Sequence, residues 1–152
     1  MKKIVKYMLI VIGVVGVIIF LIGFWGRNVF ILEDMITKLV ETANRTEGVE
    51  VLDQCSDYGK LVGNGNGVEY YGAILIRTSS EEKVINLVEE LEDAYEIVGY
   101  SEQMDREIDS VFWKGDFEKV SDDVFDECAG SLYRVYCFTT HEDSNLFDPK
   151  GH

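Results

Sequence analysis

The chain is 152 residues long, room for a single domain, and carries 14 lysines and arginines against 28 acidic residues. Every acidic residue lies after Arg27, where the 28 meet 10 basic ones for a net charge of −18. Such a surface is well solvated and repels nucleic-acid phosphates and anionic headgroups, which argues against both as partners.

Tyr7 to Trp25 is an uncharged run of 19 residues rich in Ile, Val and Leu. As a helix it reaches roughly 28 Å, close to the hydrocarbon thickness of a bilayer. Tyr7 and Trp25 stand at its ends, where amphipathic rings favour the headgroup level, and Lys6 can snorkel outward. Residues 1–27 therefore read as a transmembrane anchor. The rival reading is a removed signal peptide with Lys2 and Lys3 as its positive end. However, the run exceeds the roughly 7–15 apolar residues of such signals, and no small-residue cleavage site follows. Lys2, Lys3 and Lys6 precede the span while Arg27 and Lys38 follow it. That bias favours a cytoplasmic N-terminus and an extracytoplasmic domain in a cell membrane. Gly16 and Gly23 are seven residues apart near one face, with Gly13 nearby, so homo-oligomer formation through them is an expectation although G-x-x-x-G is absent.

Residues 28–48 read as a juxtamembrane amphipathic helix, with Leu32, Ile36, Leu39, Val40 and Ala43 recurring at spacings of three and four. It either prolongs the membrane helix as a stalk or folds back onto the domain. Residues 49–141 are the α+β domain. Its first strand follows the stop at Gly48, in "VEVLDQCSDYGKL". Gly63-Asn64-Gly65-Asn66-Gly67 then raises a choice between a phosphate cradle and a turn. Phosphate loops sit after a strand and immediately before a helix. Here a β-like run follows and no Lys-Ser/Thr pair is present, so the positive-φ tolerance of Asn and Gly points to a turn.

Val68 to Thr78 alternates with apolar residues on both faces, the pattern of a central strand. Ser79 and Glu82 have capping-box spacing ahead of a helix whose apolar face is Val84, Leu87, Val88, Leu91 and Tyr95. "AYEIVGYSE" reads as a strand, Met104 to Ser110 as a polar linker and "SVFWKG" as another strand. Val120, Val124, Phe125 and Cys128 outline a short helix closed by Gly130. "SLYRVYCFTTH" is a last strand with Tyr133, Val135 and Cys137 on one side and Leu132, Arg134, Tyr136 and Phe138 on the other. Residues 142–152 form an irregular tail.

From Val68 onward the order is β-α-β-β-α-β. The expected fold is a two-layer α+β sandwich, an antiparallel sheet with helices on one face. Ferredoxin-like topology, preceded by an extra helix and an edge strand, fits that order.

No chemical motif stands out. The three cysteines, Cys55, Cys128 and Cys137, contain no C-x-x-C, and the two histidines offer no zinc spacing. One disulfide from two of the three, or three free thiols, are both open. The acidic groups Asp122, Asp123, Asp126 and Glu127, and Glu142, Asp143, Asn145 and Asp148, do not follow a calcium-loop pattern. Cys137 and His141 are too far apart along a strand for a dyad. No metal and no cofactor are expected. Phe112 and Trp113 point to opposite faces of one strand, so one of them is a candidate binding anchor.

The expectation is a single-pass membrane protein presenting a small acidic interaction module to a protein partner. A membrane-tethered enzyme using unassigned carboxylates, or an accessory subunit of a membrane complex, are the alternatives.

Overall fold

The computed structural model describes residues 2–59, 68–104, 107–109, 114–128 and 130–141. One helix, α1, runs from Lys2 to Arg45 without a break. No proline interrupts it, and Gly26 alone is too weak a breaker to end a helix held by packing on its far side. The apolar segment and the amphipathic segment are thus one rod about 66 Å long. It is neither a free stalk nor folded back: its last third lies directly on the sheet.

The other elements follow in order: β1 (Glu50–Gly59), β2 (Val68–Arg77), α2 (Glu81–Glu92), β3 (Ile97–Glu102), β4 (Glu107–Asp109), β5 (Lys114–Asp116), α3 (Asp122–Glu127) and β6 (Leu132–His141). Four strands form an antiparallel sheet in the order β1-β2-β6-β3, while β4 and β5 make a separate two-stranded ribbon. The fold is α+β, as the alternation of elements implies. β2, α2 and β3 make a split β-α-β unit, with β6 in the slot between the two strands. Ferredoxin-like order would give that slot to the third strand of the series. Here the third strand, β5, pairs instead with β4, which arises inside the stretch expected to be a polar linker.

The sheet is covered on both sides. Met35, Ile36, Leu39 and Ala43 of α1 and Val84, Leu87, Val88 and Leu91 of α2 bury against Tyr70, Ile74, Ile76, Val135 and Cys137. At roughly 1.5–3 kcal/mol per fully buried large apolar side chain, this layer dominates the stability. The opposite face of β2, with Tyr71, Ala73 and Leu75, packs on Phe117, Val120, Phe125 and Leu132. α1 and α2 share one face of the sheet, whereas the short α3, expected beside α2 on that face, lies across the other. β2 is buried along almost its whole length, matching its apolar character on both faces.

The start of α2 departs from its sequence signature. Ser80, not Ser79, occupies the N-cap, and its side chain makes no capping bond. The reason is upstream: Thr78 is still tied to the sheet, its N–H donating to the Ser131 carbonyl at 2.9 Å. The chain therefore turns one residue later than a Ser79 cap requires.

Candidate functional site

Two shallow grooves flank α1 where it first meets the domain. One, of about 270 Å³, lies between α1 and β1 and is lined by Val29, Leu32, Glu33, Gln54 and Ser56 among others. The second, of about 210 Å³, lies between α1 and the turn into β3, with Ile31, Asp34, Tyr95, Thr139 and Thr140 on its walls. Glu96 closes this end of the sheet by accepting from the Thr140 N–H at 3.1 Å and from its hydroxyl. Each groove carries one carboxylate among its lining residues, Glu33 or Asp34. General acid–base catalysis by paired carboxylates needs two converging groups.

A buried polar contact fixes the junction. Asn28 and Tyr70 are both buried, and the Tyr70 hydroxyl donates to Asn28 Oδ1 at 2.7 Å. Tyr58 stacks beside Tyr70 with ring centroids 6.4 Å apart. This pins the first turn of α1 beyond the apolar run to the start of β2. Sequence reasoning missed Asn28, because its role depends on α1 continuing unbroken into the domain. At the far end of α1, Arg45 pairs with Glu90 at 2.9 Å, and Lys83 donates to the Glu47 carbonyl.

The second polar anchor is Asp53. A register shift between Val51 and Asp53 interrupts the pairing of β1 with β2. Leu52 packs against the second core, and the buried Asp53 pairs with Leu75 of the same core. Its carboxylate accepts from the Gln54 N–H at 2.7 Å and from the Lys119 N–H at 2.8 Å, with Lys119 Nζ at 3.9 Å. Asp53 thus holds the segment that brings Phe117 and Val120 into the core. Asp53→Ala is expected to cost about 1–3 kcal/mol by stranding the Lys119 N–H. Faster hydrogen exchange at Lys119, with α2 still protected, would be the local signature of that loss.

The cysteines divide between the faces. Cys55 and Cys128 border the second core, Cys137 is buried in the first, and no disulfide joins any of the three. Arg77 donates to Cys128 Sγ at 3.7 Å and pairs with Glu50. Burial pushes the Cys137 thiol up to about 12, partly offset by a backbone hydrogen bond at Gly72. That is the environment of a structural thiol, not a nucleophile. Burial also raises the phenol of Tyr71, against the opposing influence of Arg134, whose guanidinium lies 5.2 Å from the Tyr136 ring centroid.

Phe112, Trp113, the Gly63–Gly67 run and the 142–152 tail lie outside the described residues. The glycine run does join Gly59 to Val68, the ends of two adjacent antiparallel strands, with no helix following. On β6, positions 137 and 141 are four residues apart, about 13 Å along the strand. Among the described residues no group of three His, Cys, Asp or Glu gathers as a metal site would require. Gly16 has nothing within 4 Å of its Cβ position. At 100° per residue Gly16 and Gly23 face roughly 140–160° away from Leu39, opposite the domain.

Set against known proteins, the chain matches no family model, no curated protein and no solved structure.

Proposed function

We propose that this chain is a single-pass membrane protein that holds a small acidic interaction module on the extracytoplasmic side, where it engages a protein partner. One observation carries the reading: the double use of α1. Its first part is apolar and wholly exposed, long enough to cross a membrane, while its last part is a core element of the domain. A helix built this way makes the anchor and the domain one mechanical piece. The lysine excess ahead of the span supports a cytoplasmic N-terminus.

Topology is the test. An impermeant maleimide applied to intact, reduced cells should modify the half-exposed Cys55 and Cys128 and spare the buried Cys137. Labelling that appears only after lysis would overturn the extracytoplasmic placement.

A further inference from the structure

The domain follows the apolar run with almost no spacer. We propose that the first turn of α1 beyond the span is a lipid-docking collar: Val29 and Phe30 insert into the headgroup and glycerol layer of a zwitterionic phospholipid surface, and Arg27 binds a lipid phosphate. The proposal rests on α1 being a membrane span.

Depth is the first argument. Trp25 ends the apolar run, and Asn28 is already buried against Tyr70. Three residues of helix advance only about 4.5 Å. The headgroup region adds roughly 5–8 Å to each side of the hydrocarbon core. The start of the domain therefore lies within that region, not above it.

Exposure is the second. Phe30 is 70 % exposed and Val29 44 %, on a chain whose other apolar residues beyond the span are mostly packed in two cores. Phe30 stands about 7.5 Å along the axis from Trp25, at headgroup depth, where an aromatic ring is favoured. A lipid interface would cover that ring and continue the apolar surface of the span.

Arg27 is the third. It is half-buried, and its Nη1 is enclosed without a hydrogen-bond partner among the described residues. The side chain as a whole keeps some exposure, and phosphate oxygens fit the guanidinium fork. At about 3 Å beyond Trp25, the phosphates of the lipid itself are the anions at hand. The charge of −18 beyond Arg27 selects zwitterionic over anionic surfaces.

Docking would fix the domain's pose. From Asn28 to Arg45 the helix rises about 26 Å, so the turns at Gly48, Thr78–Ser80 and Ser131 would form the outward end.

The test uses the full chain in phosphatidylcholine vesicles, with p-benzoylphenylalanine placed singly at position 18, 30 or 85, followed by irradiation and mass spectrometry for lipid adducts. Ile18 lies in the span, and Ile85 is an exposed apolar residue of α2, far from the junction. Positions 18 and 30 should form adducts, each at least several-fold above position 85. Arg27→Gln should lower the position-30 yield several-fold and leave position 18 unchanged. Adducts at 18 with only background at 30 would overturn the collar while the anchor stands. Background at 18 would overturn the anchor, and the collar with it. An unchanged position-30 yield in Arg27→Gln would overturn the phosphate contact.

Discussion

Leu39→Ala should lower the unfolding free energy of the domain by about 2–5 kcal/mol, the cost of a buried leucine replaced by a cavity. Leu39 is fully buried at the meeting of α1, α2 and β2. The sheet opposite it is already as close as it can come. A Cβ on Gly72 would sit 3.0 Å from Met35 Sδ and 3.2 Å from both Ile36 Cδ1 and Leu39 Cδ1. Gly72 thus sets the spacing between helix and sheet, and Gly72→Ala alone should cost about 1–3 kcal/mol by overpacking. Combined with Leu39→Ala, the new methyl enters vacated space, so the double variant should lose clearly less than the sum of the two. Urea unfolding in detergent micelles, followed by tyrosine and tryptophan fluorescence, gives all four corners of the cycle. Strict additivity would mean that Leu39 does not pack on Gly72. Under the proposed anchoring by the apolar run elsewhere on the same helix, each variant should remain in the membrane pellet after alkaline carbonate extraction, whatever the state of its domain.

The elements legible in the sequence were those whose side chains repeat with a local period. Val84, Leu87, Val88 and Leu91 bury along one stripe of α2, and Tyr133, Val135 and Cys137 of β6 face the first core while Leu132, Tyr136 and Phe138 face the second. Gly48 and Gly130 adopt the positive φ that ends the preceding segment. What the sequence withheld was non-local. That β6 and not β5 fills the split β-α-β slot depends on which strands meet, and pairing partners leave no mark on the alternation of either. The bulge near Leu52 breaks the alternation of β1, and nothing in the local pattern marks Asp53 as an interior acceptor for Lys119. Met35 was overlooked as a core residue for a related reason: a second apolar position beside Ile36 widens the stripe only where two neighbouring elements, here β2 and the Tyr95 turn, cover it. At the candidate site, the Asn28–Tyr70 contact joins residues 42 positions apart. No spacing rule reaches that far.

Alkaline pH should unfold the domain steeply, with stability full below about pH 9 and falling as pH rises towards 12. The cause is burial. In the folded chain the Cys137 thiol is raised from an ordinary value of 9.0 to about 12, and the Tyr71 phenol is raised well above its ordinary 10.0. Both groups sit within the two packed layers. The unfolded chain releases these protons at ordinary values while the folded chain retains them, so each unit of pH above those values favours unfolding. One retained proton contributes about 1.4 kcal/mol per pH unit, and the two together remove of order 5 kcal/mol by pH 12. That rivals the whole stability of a small domain, roughly 5–15 kcal/mol. Tyr95, raised by burial in the same direction though more open to solvent, adds to the trend. Tyr71→Phe removes one of the two principal titrations while keeping the ring that stacks on Tyr136. Its alkaline midpoint, read by circular dichroism, should therefore move upward relative to its own stability at pH 8. If Tyr71→Phe and the parent chain lost stability with the same slope between pH 10 and 12, the phenol would not be held protonated by the second core. Cys137→Ala offers the matching control on the other face. It gives up a small amount of packing at neutral pH, and its stability should begin to fall only near pH 10, where the tyrosines of the unfolded chain ionise.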